Sequence, residues 1–208
     1  MSYLFFVSAA GLFIAAFLHL KSVEHLRLRE ELGEEKAEKR GRIYGAVSGT
    51  IESIALAGLW FSPQPRLVIP LFSDLAISVA VLQVPVLHLA ISLPLIAAGA
   101  WFGIGGVREV GMEVAETHCS PKKIAATGVY SFVRHPQYFG WILSHLGMSV
   151  LLSAKYSMLF TPALLALIYL ISRKEQDELI KELGKEYEDY MKEVPMLIPR
   201  LKRLPRAD

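Results

Sequence analysis

Residues 138–152, YFGWILSHLGMSVLL, and residues 156–172, YSMLFTPALLALIYLIS, are uncharged apolar runs separated only by Ser153, Ala154 and Lys155. A helix needs roughly 20 mostly apolar residues to cross about 30 Å of hydrocarbon, so this pair reads as a membrane-embedded helical hairpin. Working outward, Tyr3–Leu20, Ile43–Phe61 and Val86–Ile104 are three further candidate spans. Tyr3–Leu20 has neither a basic leading segment nor a small-residue cleavage pattern before Lys21, and is expected to be a retained first span.

The composition agrees. Of 208 residues 53% are apolar and 20% charged, with mean hydropathy +0.39, whereas soluble domains carry roughly 25% charge. A net charge of +2 implies no polyanionic partner, so no nucleic acid is expected, and the single cysteine, Cys119, excludes an internal disulfide and a multi-cysteine zinc site. No metal is expected. His118–Cys119 is the one adjacent His/Cys pair and reads as loop. His19 and His25 stand six apart, off a shared helical face, while His88 and His145 are lone histidines in spans where a hydrogen bond is the default role.

Charge placement sets direction. The segment 21–42 holds seven Lys or Arg, 108–134 holds four, and the chain from Arg173 onward holds nine. The positive-inside bias puts all three on the cytoplasmic side. Leu67–Val84 is apolar but interrupted by Pro70 and Asp74 and bounded by Pro85, and a sixth crossing there would place the next basic segment outside. The expectation is an all-α polytopic membrane protein: about five transmembrane helices, Leu67–Val84 interfacial or re-entrant, a C-terminal helical hairpin and a cytoplasmic C-terminal helix. It would form one domain over 1–208, with 1–85 supplying N-terminal membrane helices and 86–200 the functional part. The Glu/Lys/Arg run Glu24–Arg40 reads as a solvated helical extension of the first span with i,i+4 pairs such as Glu35–Lys39, or as a partner or headgroup surface. Glu52 is an acid at mid-span, expensive in hydrocarbon. It either lines an acceptor channel or pairs with an arginine, or it is a hydrogen-bonded carboxyl beside Ser48, Thr50 or Ser53.

Chemistry gathers just before the hairpin, in Thr127-Gly-Val-Tyr-Ser-Phe-Val-Arg-His-Pro-Gln-Tyr-Phe-Gly-Trp141. Pro136 suits the first position of a helix, whose positive end beside Arg134 and His135 is expected to form an anion site. Tyr130 and Tyr138 offer ring faces to a base or a cation, and Gly128 and Gly140 allow close backbone approach. These features suit a ligand with a carboxylate, a planar ring and a positive centre.

The pattern Gly-x-Tyr-x3-Arg-His-Pro-x-Tyr-x-Gly resembles the isoprenylcysteine carboxyl methyltransferase family and its relatives, the phospholipid N-methyltransferases and other small membrane methyltransferases. A second block, Arg173-Lys-Glu-Gln-Asp-Glu-Leu179, Leu183-Gly-Lys-Glu-Tyr187, Tyr190, Val194-Pro195 and Ile198-Pro199, resembles the tail of that family. The likeness covers roughly residues 86–200. It implies an S-adenosylmethionine site at the cytoplasmic face, closed by the segment after the last span, with a lipid-like acceptor entering from the bilayer. By position Gly128, Val129, Tyr130, His135, Pro136 and Tyr138 would line the cofactor pocket and Glu175 would close it. Arg134 or Arg173 would pair with the cofactor carboxylate or orient an acidic acceptor, so Arg134, Arg173 and Glu175 are the expected catalytic residues. Gln176 departs from the family's Glu-Glu pair, keeping a hydrogen bond but losing a charge. Methyl transfer from a sulfonium needs positioning more than acid or base groups. Sterol reductases share the Arg-His-Pro block and the tail pattern and use NADPH, but they are longer and carry an acidic-x-Arg-Cys segment where this chain reads Asp177-Glu178-Leu179. A non-catalytic membrane protein would need neither polar block.

Overall fold

A computed structural model describes residues 2–71, 75–79, 82–111 and 124–199. Among them stand seven α-helices: α1 Tyr3–Val23, α2 His25–Leu32, α3 Glu34–Phe61, α4 Val86–Val110, α5 Pro136–Leu151, α6 Lys155–Leu183 and α7 Lys185–Glu193. Three of these, α1, α4 and α6, are long and apolar enough to cross a membrane. Large apolar side chains such as Phe6, Phe17, Ile54, Leu93 and Leu170 face outward, as they do where the surrounding solvent is hydrocarbon. The chain is a helical membrane protein. Helix α3 is charged over its first turns, and α5, with 16 residues, is about 24 Å long at 1.5 Å per residue.

One departure from an all-α fold lies in the stretch expected to be interfacial or re-entrant. Its described part forms an antiparallel hairpin, β1 Ala76–Val79 with β2 Leu82–Pro85, pairing Ala76 with Pro85 and Ile77 with Val84. Ile and Val at alternate positions favour extended backbone, and Pro85 ends the ladder where α4 begins.

The charged run after α1 is also not a helical extension of it. The backbone breaks at Glu24, and α2 is a separate helix ended by Gly33 at φ +76°. No side chain of its own caps α2. Instead Glu178 of α6 accepts from the Leu26 amide at 3.3 Å, and Arg29 pairs with Glu182 at 3.3 Å. Lys174 reaches Glu24 at 3.5 Å. The i,i+4 pairs present are Arg27–Glu31 and Glu38–Arg42. Thus the charges dock α2 onto α6, where burial lowers the His25 pKa against the opposing carboxylates of Glu182, Glu175 and Glu178.

Two helix pairs carry the packing: α1 runs along α3, and α4 along α5. Both rely on small residues that let backbones close up. Between α4 and α5 the seam is Gly99, Gly103 and Gly106 against Gly140 and Gly147. A Cβ on Gly140 would lie 2.6 Å from the Gly99 carbonyl oxygen and 2.8 Å from the Gly103 nitrogen. Gly140 therefore serves helix contact rather than approach to a ligand. Gly140→Ala is expected to destabilise the protein by about 1–3 kcal/mol, read as a lower thermal midpoint in detergent. Gly49→Ala, also inside a helix but with a Cβ that would meet nothing within 4 Å, serves as the control whose midpoint does not fall.

Buried Phe5, Leu12, Leu56, Leu59, Ile142 and Ile168 knit α1, α3, α5 and α6 together. The turn between α5 and α6 is lashed to the segment after α3. Gln64 Oε1 accepts from the Tyr156 and Ser157 amides at 2.7 and 2.9 Å, capping α6, and Leu67 N–H donates to Ser153 O at 2.7 Å. The buried histidines take the structural roles expected of them. His145 accepts from Trp60 Nε1 at 3.3 Å and stands 3.2 Å from the Ser157 carbonyl, while His88 lies 3.0 Å from the Ser153 hydroxyl. His118 and Cys119 lie outside the described residues.

Candidate functional site

The approach to α5 is built from a 3-10 turn, Gly128–Ser131. Gly128 holds φ +50°, and a Cβ there would collide with the Glu109 carboxylate. That carboxylate also accepts from Thr127 Oγ1 at 2.8 Å, pinning the turn to the end of α4. Val129 and Val133 are buried against Phe102. Pro136 begins α5, buried against Gly106. Of the six residues expected to line a pocket by position, Val129 and Pro136 are thus packing groups, and Gly128 is exposed at the turn.

The anion site expected at the head of α5 is occupied by the chain itself. The Arg134 and His135 amides donate to the Pro195 and Met196 carbonyls at 2.9 and 3.2 Å. The Arg134 guanidinium donates to the carbonyls of Met191 (2.8 Å) and Val194, and to Gln176 Oε1 at 3.3 Å. Helix α7 lies beside it, its Tyr187 and Tyr190, with Val194 just after it, buried against Leu179, Ile180 and Leu183 of α6. Tyr190 donates to the Tyr130 carbonyl at 2.7 Å. Arg134 is a strut for the tail, and the main chain supplies the negative ends of dipoles where a ligand carboxylate was expected. Arg173, by contrast, is exposed on α6 and makes no hydrogen bond or ion pair among the described residues.

The remaining predicted residues converge. His135 is buried; its Nδ1 lies 3.4 Å from Glu175 Oε2 and its Nε2 lies 3.0 Å from Gln176 Nε2. An amide nitrogen only donates, so His135 Nε2 accepts and its proton sits on Nδ1, facing the Glu175 carboxylate. Gln176 bridges guanidinium and imidazole with one acceptor and one donor; an ionised glutamate there would lack the donor. The His135 and Tyr138 rings stack at 5.5 Å and 17°. Burial and the Glu175 charge both raise the Tyr130 and Tyr187 phenols, burial more, keeping them neutral around that carboxylate.

From Tyr138 the polar chain continues into residues not singled out together by sequence. The Tyr138 hydroxyl lies 3.0 Å from His19 Nε2, and His19 Nδ1 lies 3.0 Å from Glu52 Oε1. Glu52 therefore meets a histidine, not an arginine, and the partners sit 33 and 119 residues from His19 along the chain. Their one signal in sequence was each being polar inside an apolar run. This end of the chain borders a cavity of about 450 Å³ between α1, α3, α5 and α6. Leu12, Leu56, Trp141, Leu164 and Ile168 supply apolar wall, and Ser48, Thr50, Ser53 and Gln137 add polar groups to it. Among the described residues no group of three His, Cys, Asp or Glu is placed to hold a metal ion.

Residues 112–181, which contain His135, Glu175 and Gln176, match the sequence model of the isoprenylcysteine carboxyl methyltransferase (ICMT) family. Over that segment, about a third of its length, the chain is similar to this family. Relatives include the methanethiol S-methyltransferase of Crocosphaera subtropica, 32% identical over 98 residues, which is 47% of this chain and 38% of that protein. The protein-S-isoprenylcysteine O-methyltransferase of Dictyostelium discoideum is 33% identical over 103 residues, 45% of this chain and 44% of its own. That of Mus musculus is 35% identical over 95 residues, 45% of this chain and 32% of its own. The chain thus spans less than half the length of these curated relatives. No solved structure matches it. His19 and Glu52 lie outside the family-matched segment.

Proposed function

We propose that this chain is an S-adenosylmethionine-dependent methyltransferase acting on a lipophilic acceptor that enters from the bilayer. Its five crossings are α1, α3, α4, α5 and the first part of α6, with the site on the cytoplasmic face. The observation that carries this reading is the Glu175–His135–Tyr138 cluster, inside the family-matched segment and, through Tyr138, bordering a largely apolar cavity.

The donor set suits the group. A sulfonium and an ammonium seek a carboxylate, which Glu175 supplies, and a purine seeks a flat ring face, which the stacked His135–Tyr138 pair supplies. When bound, the cofactor provides an electrophilic methyl group. Glu175 balances the positive charge, Gln176 holds His135 in one tautomer, and the tail braced by Arg134 shuts out water, which strengthens these charge interactions. Of the two arginines considered for the cofactor carboxylate, Arg134 is turned to the tail, and that role falls in this reading to Arg173. Relatives are named for transfer to a methanethiol sulfur or to an isoprenylcysteine oxygen, and both acceptors fit a displacement that depends on alignment.

Calorimetric titration of the detergent-purified protein with S-adenosylhomocysteine and with NADPH tests the reading. The expected result is binding of the first alone. Binding of NADPH alone would replace this reading with a reductase, and binding of neither would remove enzymatic cofactor use altogether.

A further inference from the structure

The Glu52–His19 pair lies outside the family-matched segment, meets the donor cluster only through Tyr138, and has the form of a proton acceptor at the cavity wall. We infer that His19 is the base that deprotonates the methyl acceptor, and that this acceptor is an apolar thiol. The inference rests on the methyl-transfer reading and specifies its second substrate.

The geometry orders the protons. Glu52 Oε1, 3.0 Å from His19 Nδ1, holds a proton on that nitrogen, which leaves the lone pair on Nε2, where the Tyr138 hydroxyl donates at 3.0 Å. A carboxylate that orients an imidazole in this way makes its other nitrogen a base. Glu52 from α3 and Tyr138 from α5 face His19 among the described residues, with Glu175 of α6 beyond the phenol.

Charge selects the acceptor class. Glu52 is the single charged residue among the described residues lining the cavity. An acceptor that arrives as a carboxylate needs no base and would be repelled by Glu52 across a medium of low dielectric. A neutral protic acceptor needs a base and feels no such repulsion. In model compounds a thiol and an imidazole differ by about two pKa units, whereas an alkylammonium stands about four above imidazole, so the thiol is the protic group this base can ionise. The walls of Leu12, Leu56, Leu164 and Ile168 suit a hydrocarbon substituent on that sulfur.

The step balances. The acceptor S–H bond breaks as its proton moves to His19 Nε2, displacing the Tyr138 hydroxyl. The thiolate lone pair forms the new S–CH3 bond while the donor S–CH3 bond breaks and its electron pair stays on the donor sulfur. Thiolate and sulfonium become two neutral thioethers, and the imidazolium, held beside the Glu52 carboxylate, later loses its proton to water.

Two readouts on the full chain test this. In the first, 4-methylthiophenol is titrated at pH 6 without donor and the ultraviolet thiolate band is followed. The wild type should raise the thiolate fraction at least about twofold, and His19→Gln should not. No rise, or an equal rise in His19→Gln, overturns the assignment. In the second, methyl products from 4-methylthiophenol, 4-methylbenzoate and 4-methylbenzylamine are compared by mass spectrometry. Thiol methylation should dominate and fall by about 10²–10⁴-fold in His19→Gln, with S-adenosylhomocysteine affinity within about threefold of wild type. Faster methylation of the benzoate or the amine, or turnover within threefold in the variant, overturns it. Should His19→Gln not fold, Glu52→Gln, which keeps the side-chain shape, should lose the thiolate band and at least about tenfold in turnover, and unchanged values there overturn the assignment equally. If S-adenosylhomocysteine does not bind the wild type, the donor reading falls, and the donor-free titration still decides His19.

Discussion

Arg134→Ala is expected to free the C-terminal tail from the head of α5 and to cost at least about 3 kcal/mol of stability. The guanidinium serves three acceptors, the carbonyls of Met191 and Val194 and the amide oxygen of Gln176. Each buried acceptor left without its donor costs about 1–3 kcal/mol. The two main-chain bonds from residues 134 and 135 to Pro195 and Met196 survive the substitution, so the loss isolates the side chain. Arg134→Lys should recover only part of it, because one ammonium cannot reproduce a planar fork. The measurements are the thermal midpoint in detergent and the rate of proteolytic cleavage around 194–199. A midpoint within about two degrees of wild type and unchanged cleavage would show that the strut carries no load. Burial lowers the Arg134 pKa and the nearby Tyr187 and Tyr190 oppose that shift, so the group stays charged and the effect should not depend on pH across the neutral range.

The second large effect concerns Glu175. Its carboxylate faces the Nδ1–H of His135 at 3.4 Å. Glu175→Ala should weaken S-adenosylmethionine binding by about 30-fold or more, the scale of truncating one member of a buried charge pair, about 2 kcal/mol. Binding of S-adenosylhomocysteine, which lacks the sulfonium charge, should fall less. Glu175→Gln separates charge from hydrogen bonding: it should reproduce the loss for the charged ligand while leaving the neutral one near wild type. His135→Ala should weaken both ligands, since it removes half of the stacked pair. Equal, unchanged affinities for both ligands in Glu175→Ala and His135→Ala would mean the cofactor sits elsewhere.

How much of this could be read from residues alone follows from the range of the forces involved. Helices α1, α4 and α6 were legible because hydrocarbon imposes a length on a crossing, and long helices appear where those apolar runs predicted them. The convergence of His135, Tyr138 and Glu175 was legible through the two sequence blocks on either side of the α5–α6 hairpin. What failed was the surroundings of Arg134. An arginine at a helix head looks like a ligand site until the tail is seen to fold back, and nothing near position 134 announces that residues 191–196 will supply the acceptors. Helix α2 was misread for a similar reason: its charges look solvated until Glu178 and Glu182, some 150 residues away, are found beneath them. The His19–Glu52 pair was invisible because two isolated polar residues on different helices carry no mutual spacing.

Helix α6 runs without a break through its 29 residues, from the capped turn at Gln64 to the docking face of α7. One end contributes Leu164 and Ile168 to the cavity wall and the other presents Glu175 and Gln176. Beyond the internal Pro162 the helix continues unbroken, so Leu164 and Gln176 are about 18 Å apart along one segment. On the proposed reading, the wall that meets the acceptor and the groups that meet the donor are thus set at a fixed spacing by a single element.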